Sequence, residues 1–425
     1  MKPKEPNIWD VAVIGGGPAG MMAAGRAAEL GKRVILIEKN KKLGEKLLIT
    51  GGGRCNVTNA ELDTRTLLAK FKDAEQFLFS AFSQWNVQET LDFFNQRGME
   101  TKIEAEKRVF PVSNKSQSVW DVLVEYMKKG DVTVLSNSPV SGFVVTDRGN
   151  ASAHADRGVA SVKLTNGAEI NAKSFILATG GTSRPETGST GDGFGWLRTI
   201  GHTVTEPTAA LVPVAVKDEW VKKLQGISLP TAKLTAFQNG EKQEVRKGKM
   251  LFTHFGISGP AVLNMSSSIS ELLKYGDVTL ELDLLPIHDH AQLNTALQDL
   301  FKEETNKKLK NALPKLIPSA FIPAVCELAK VDGETFCNEV SREARMRLID
   351  TLKGLEMHVK GLLGLDKAII ASGGVALNEV DFKTMRSKRY SNLHIIGDML
   401  DIDRPSGGYS LQLCWTTGRV AGEAA

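Results

Sequence analysis

Gly15-Gly16-Gly17-Pro18-Ala19-Gly20 is a GxGxxG pattern set between the apolar run VAVI and an alanine-rich helical pattern. Glycines at those positions permit a tight turn, let the backbone approach a pyrophosphate, and let the helix pack close to the strand, with the helix N-terminus facing the anion. A second apolar strand ends in Glu38, eighteen residues after Gly20, where a carboxylate can accept from the ribose hydroxyls of an adenosine. A dinucleotide site follows, but this fingerprint alone does not separate FAD from NAD. The C-terminal stretch HIIGDMLDIDRPSGGYSLQ does: an apolar strand ends in Gly397-Asp398, and Gly407-Gly408 opens a last helix. Asp398 can accept from ribityl hydroxyls, and the helix amides can stabilise negative charge at the N1/C2 edge of a reduced flavin. The expected cofactor is FAD.

Three consecutive glycines, Gly51 to Gly53, precede Arg54, Cys55 and Asn56 and form a loop whose amides and side chains could converge on a flat ligand or its pyrophosphate. Lys46 and Arg54 are its expected cationic partners. Cys55 has no resolving cysteine nearby and reads better as a buried structural thiol than as a redox group. For proton transfer the best candidate is His254 in FTHFGISGP, which could serve as acid, base or substrate anchor, or equally could satisfy loop backbone. His288, Asp289 and His290 alternate beside Pro286 and read as a solvated turn, so no metal site is expected.

The elements that must position these groups are legible in outline. VAVIGGGPAGMMAAGRAAELGKRVILIEK is a βαβ unit. SQWNVQETLDFFNQRG reads as a helix with Val87, Leu91 and Phe94 on one face and Gly98 at its end, and SVWDVLVEYMKKG as another. Residues 131–173 alternate as a β-meander, with the polar loop around His154 inside it, before SFILATGG returns to a buried parallel strand. Beyond Gly201 a β-rich stretch predicts a small barrel or sandwich, and from about 288 to 353 the pattern turns helical. MHVKGLLG returns to the β module, and the last helix is expected from about Gln412.

Size and composition bound the rest. The 425 residues predict two or three domains. With 42% hydrophobic and 24% charged residues, the chain is an ordinary folded one. Lys+Arg 53 against Asp+Glu 49 is too balanced to argue for a nucleic-acid binder, and the run Lys302, Lys307, Lys308, Lys310 and Lys315 reads as a solvated face. No apolar run is long enough for a membrane span, and MKPKEPNIWD lacks the apolar core of a secretion signal, so a cytoplasmic location is expected. The four cysteines are scattered without CxxC spacing, which predicts reduced thiols.

The stretches VIGGGPAG, KLLITGGGRCNVTN, RVFPVSNKSQSVWDVL, ILATGG, GSTGDG, LFTHFGISGPAVL, SGGV and GDMLDIDRPSGGYSLQ resemble the BaiN/RdsA-like family of bacterial NAD(P)/FAD-dependent oxidoreductases, which includes aminoacetone oxidase-like flavoproteins. The resemblance implies an α/β protein with three parts. These are a discontinuous glutathione-reductase-type FAD domain (1–199 and 372–425), a β-rich substrate domain (200–287 and 354–371), and a nested helical subdomain (288–353). Family members often carry GGYNLQ where this chain has GGYSLQ, so Ser410 keeps a small hydrogen-bonding group there, and the loop around His154 is unmatched. The expected cofactor-binding set is Gly15, Gly17, Pro18, Ala19, Gly20, Glu38, Lys39, Lys46, Thr50, Gly51, Gly52, Gly53, Arg54, Cys55, Asn56, Val140, Thr179, Gly180, Gly181, Asp398, Gly408, Tyr409, Ser410 and Leu411. Two enzymatic activities stay open. One is a reductase of an unsaturated small or medium organic compound, drawing hydride from transiently bound NADH or NADPH, and the other is an amine oxidase. A flavin-bearing RNA-associated or scaffold protein is the reading from another class. No oligomeric state is legible.

Overall fold

The computed structural model describes residues 8–146, 157–364, 368 and 370–425; the loop around His154 lies outside them. Contacts divide the chain into two units, one running to Ala209 and resuming at Ala368, the other spanning Ala210–Lys367.

In the first unit the strand Trp9–Ile14 lies between Val34–Ile37 and Glu169–Leu177, parallel to both. Leu393–Ile395 joins the same Glu169–Leu177 strand in parallel from the far end of the sequence. Val11, Ala12, Val13 and Leu36 are fully buried, as expected of parallel strands covered on both faces. The meander is real but shorter than its pattern: Val140–Thr146, Gly158–Leu164 and the start of Glu169–Leu177 pair antiparallel. Thr133–Leu135, assigned to it from the alternation, is instead the parallel edge strand beside Val34–Ile37. The helix Ser116–Lys129 returns the chain to the same end of the sheet, and a crossover of that kind feeds a parallel neighbour.

The helix expected over residues 83–98 is split. Glu75–Gln84 ends at Trp85, and Val87–Gln96 restarts after Asn86, whose side chain and Glu89 form a reciprocal capping box. The terminal helix runs Tyr409–Ala424, three residues earlier than expected, because Gly408 turns the chain at φ 102°. It packs on the helix Pro18–Glu29 at glycine distance: a Cβ on Gly418 would lie 2.5 Å from Ala19 O, and one on Gly422 2.5 Å from Ala23 O. Glu29 ties the ends of these helices by accepting from Arg26, Tyr126 and Arg419.

In the second unit the strands Val214–Val216, Gly256–Ser258, Glu241–Thr253, Ser228–Gln238, Thr279–Asp283 and Leu355–Leu362 close into a barrel. The helices His290–Glu303, Ile322–Ala329 and Arg342–Lys353 share its apolar cluster, with Phe252 set edge-on to Phe321 at 5.3 Å. The helical segment therefore shares its core with the barrel rather than having one of its own. The strand Val204–Ala210, placed in the β-rich part from its sequence, pairs with Ile370–Val375 and starts in the first unit. Asp289 caps the helix His290–Glu303 by accepting from Gln292 N–H, which gives the His-Asp-His alternation a structural task.

Candidate functional site: a cleft shared by both ends of the chain

The turn after the first strand is built by contact. Gly15 takes φ 104°, and a Cβ there would lie 2.5 Å from Ala178 O, while one on Gly20 would lie 1.9 Å from Gly15 O. Gly17 is different, since a Cβ there would meet nothing within 4 Å. It caps a helix that no side chain caps, and with Pro18 and Ala19 it lines a cleft of about 940 Å³. The positive end of the helix faces open space, which is the arrangement an anion needs.

Glu38 stands beside this turn. Its Oε2 accepts from Gly16 N–H at 2.7 Å and its Oε1 from Asn40 N–H at 2.8 Å. A carboxylate offers about four acceptor positions, so two backbone bonds orient it and leave capacity for hydroxyls. Glu38 also borders a smaller adjoining cleft of about 410 Å³ with Lys39, Val140, Thr179, Asp192 and Trp196. There the Lys39 ammonium is held by Thr190 Oγ1 at 2.5 Å and Asp192 at 2.8 Å. Burial works against ionisation of Asp192, but the bonds from Lys39 and Thr190 override it and lower its carboxyl below the ordinary range.

The far wall of the main cleft comes from the other end of the chain: Ile396, Gly397, Asp398, Ser410, Leu411 and Cys414. Asp398 sits 3.5 Å from Lys46 Nζ and is bonded to Arg404 Nη2. Lys46 also donates to Ser183 Oγ at 2.5 Å. Burial opposes the negative charge of Asp398, but Arg404 and Lys46 outweigh it and hold the carboxyl below its usual range. The Cys414 thiol is pushed up to about 12 by burial and by the nearby Asp398 charge, so it stays neutral.

Of the expected residues, Gly15, Gly17, Pro18, Ala19, Glu38, Lys46, Thr50, Thr179, Gly180, Asp398, Ser410 and Leu411 surround the main cleft, and Lys39 and Val140 the smaller one. The others lie off both linings. Gly20 packs beneath Gly15. Gly51 and Gly52 form an exposed left-handed turn, with Gly53 after them, and Gly181 is buried. Arg54 is engaged elsewhere: its guanidinium bonds Glu104 and Asn114 and lies 4.1 Å from the centre of the Phe110 ring. Cys55 is fully buried, and burial pushes its thiol well above the ordinary range, which suits a structural role. Asn56 keeps a buried Oδ1 with no hydrogen-bond partner among the described residues. Gly408 is pressed to the Thr58 backbone, and Tyr409 is buried edge-on to Phe71. His254 sits exposed in the second unit, in the turn between Glu241–Thr253 and Gly256–Ser258, with its ring 4.9 Å from that of Phe255.

Sequence reasoning left out Asn40, Gly188, Ser189 and Cys414, which line the main cleft, and Arg404 behind its wall. GSTGDG and DIDRPSGGY carried the available signal for Gly188, Ser189 and Arg404. The donor set fits FAD: an uncapped helix terminus at an open glycine, an oriented carboxylate beside it, and a lysine–aspartate pair farther along one cleft.

The model of the HI0933-like protein Rossmann domain matches residues 9–424. The chain is 30% identical to the ribosomal RNA dihydrouridine synthase of Escherichia coli, covering 96% of each chain. It is 29% identical to the 3-dehydro-bile acid delta(4,6)-reductase of Clostridium scindens, covering 98% of each. Among solved structures, 3-ketosteroid delta1-dehydrogenase from Sterolibacterium denitrificans matches with a TM-score of 0.55 at 13% identity, over 98% of this chain and 99% of that one, a likeness of fold alone. The chain therefore belongs to the HI0933-like (BaiN/RdsA) family and is an FAD-dependent oxidoreductase.

Proposed function

We propose that the chain binds FAD in the main cleft and reduces a carbon–carbon double bond activated by a carbonyl, with NADH or NADPH as the transient hydride source. The observation that carries this reading is the full-length similarity to two relatives whose names both describe saturation of a double bond, a dihydrouridine synthase and a delta(4,6)-reductase. When bound, FAD supplies the hydride-transfer chemistry. In this reading the Gly17–Ala19 turn holds the pyrophosphate, Glu38 the adenosine ribose, and Lys46 and Asp398 the polar chain between phosphate and ring. The uncapped N-terminus of Tyr409–Ala424 favours negative charge at the ring edge.

We assign the proton that completes the reduction to His254, which is exposed on its turn. His254→Gln should keep FAD and the folded state while turnover falls by about 10²-fold or more. Unchanged turnover assigns His254 to its loop. The reaction itself is tested by anaerobic mixing with NADH and NADPH. Rapid bleaching of the flavin, followed by reoxidation with an enone, supports the reductase; bleaching by amines alone supports an oxidase and overturns it.

A ribosomal RNA substrate is a second reading, favoured by the Escherichia coli relative and by Lys247 and Lys249, exposed on the strand Glu241–Thr253 with no ion pair among the described residues. The basic run read earlier lends it no support, because Lys302, Lys307, Lys308, Lys310 and Lys315 all pair with Asp or Glu. Dihydrouridine formed in an rRNA transcript by the NADPH-supplied enzyme would support this substrate; none formed, with enone turnover intact, would remove it.

A further inference from the structure

Arg404 is among the most buried charged residues described, with 5% exposure, and every polar nitrogen of its side chain is engaged. Nη2 bonds Asp398 Oδ1, Nη1 donates to Ile402 O at 2.6 Å, and Nε donates to Ser410 Oγ at 3.0 Å. Asp398 and Ser410 both face the main cleft, whereas Arg404 stands behind its wall. One guanidinium thus joins the short turn Gly397–Met399, just past the last parallel strand, to the first turn of the terminal helix. The planar fork fixes both at once, which a lysine at the same place would not do.

Asp398 is faced by charged or titratable groups from three directions: Lys46 on the short helix Glu45–Ile49, Arg404 on its own loop, and Cys414 on the terminal helix. The thiol is neutral, and Lys46 is 3.5 Å away and shared with Ser183, so Arg404 is the closer compensating charge. Without it, a ligand that covered the cleft would strip water from a carboxylate left with Lys46 as its one compensating charge, 3.5 Å away and shared with Ser183. A buried carboxylate in that position takes up a proton instead.

We propose that Arg404 is a positioning residue for the cofactor, joining Asp398 to Ser410 and neutralising the carboxylate so that the cleft accepts FAD without taking up a proton. This inference rests on FAD occupying the cleft. Because binding to an uncompensated Asp398 would be coupled to protonation, loss of Arg404 should make FAD affinity depend on pH, tightening as pH falls.

The experiment is titration of FAD into apoprotein, read by flavin fluorescence, from pH 5.5 to 8. Wild type should give a nearly level Kd. Arg404→Met should bind about 10–100-fold more weakly at pH 8 and recover much of the loss at pH 5.5. Adding Asp398→Asn to that variant should level the profile and tighten binding at pH 8, since the amide mimics the protonated acid. Arg404→Lys, which keeps the charge and loses the fork, should bind weakly at every pH with a level profile. A level profile for Arg404→Met, or a double variant no tighter than it at pH 8, overturns the proposal. If Arg404→Met does not fold, the double variant decides: folding with a level FAD profile supports the proposal, and failure to fold assigns Arg404 to packing. Wild type that binds no FAD at any pH would instead overturn the cofactor reading above.

Discussion

Two buried ionic clusters among the described residues of the first unit, one around Asp398 and one around His202, differ in one respect. Around Asp398, a lysine and an arginine compensate a carboxylate that looks into open volume. Around His202, Ser387 Oγ lies 2.9 Å from Nε2 and Glu379 Oε2 lies 2.8 Å from Nδ1, the order of atoms found in a hydrolytic triad. Yet Ser387 is 3% exposed, and its oxygen accepts from Arg389 N–H at 3.0 Å and Tyr390 N–H at 3.1 Å. Two accepted bonds leave the hydroxyl proton to point at His202 Nε2, so Nδ1–H donates to Glu379, and every member of the cluster is spent on its neighbours. The second cluster fastens segment 379–390 to residues 202–203, and the first prepares a surface for a ligand. Side-chain order alone does not make a site; an open approach to the reacting atom does.

The His202 cluster should matter most for stability. Glu379→Ala strands His202, Thr203 and Arg389, all of which donate to it, and should cost about 2–4 kcal/mol in chemical denaturation while the folded fraction binds FAD as before. A large loss of FAD affinity with stability intact would make this cluster functional after all.

Acid should act on the sealed region by a similar amount. Burial lowers both His202 and His394, the latter to about 4, because a charged imidazole there would lose its water; the bond to Glu379 only partly offsets this for His202. Their folded values lie below the ordinary 6.5, so the stability they contribute is complete above about pH 6.5 and is lost as pH falls below it; for His394 the loss reaches about 3 kcal/mol as pH falls to about 4. Glu379, held down to about 2 by Arg389, Thr203 and His202 against the opposing effect of burial, adds a further loss only below about pH 4.5. Urea unfolding at pH 7, 5.5 and 4.5 reads the slope; stability independent of pH across that range would contradict neutral burial of these histidines.

On the open side, Glu38→Ala and Asp398→Ala should each weaken FAD binding by about 10–100-fold, the equivalent of about 1.5–3 kcal/mol, although they come from opposite ends of the chain. Equilibrium dialysis measures it, and normal retention by either variant would remove that residue from the site. The smallest effect sharpens the contrast: Ser387→Ala should cost about 1 kcal/mol of stability and leave flavin content and turnover unchanged. Abolished turnover in a folded, FAD-loaded Ser387→Ala protein would undo the distinction between the clusters.

What was legible in the sequence was local. The strand–turn–helix at Gly15–Gly20, with Glu38 at the end of the next strand, is specified by short-range needs: a turn at φ 104°, room for a backbone at Gly20, and an apolar run on each side. The split at Trp85–Asn86 was also written locally, in a capping box whose Asn86 and Glu89 are three residues apart, but the continuous apolar face masked it. The fate of Thr133–Leu135 was not local, because alternation does not reveal whether the neighbouring strand runs parallel or antiparallel.

Long charged side chains show the same division. Arg54, adjacent to three glycines, had every local reason to face a phosphate, but Glu104 and Asn114 capture it once the sheet of Thr58–Asn59, Thr101–Ile103 and Arg108–Pro111 forms. Lys46 reaches Asp398 across 352 positions of sequence, and Arg404 turns inward behind the wall onto Asp398 and Ser410. By itself the sequence determined the glycine turns, the βαβ unit, Glu38 and the discontinuous flavin fold, because steric tolerance and apolar periodicity are properties of neighbouring residues. Only the tertiary structure decided which cation meets which carboxylate and which cluster stays open to a ligand. A flexible charged side chain has many reachable partners, and packing between distant segments chooses one by burying it.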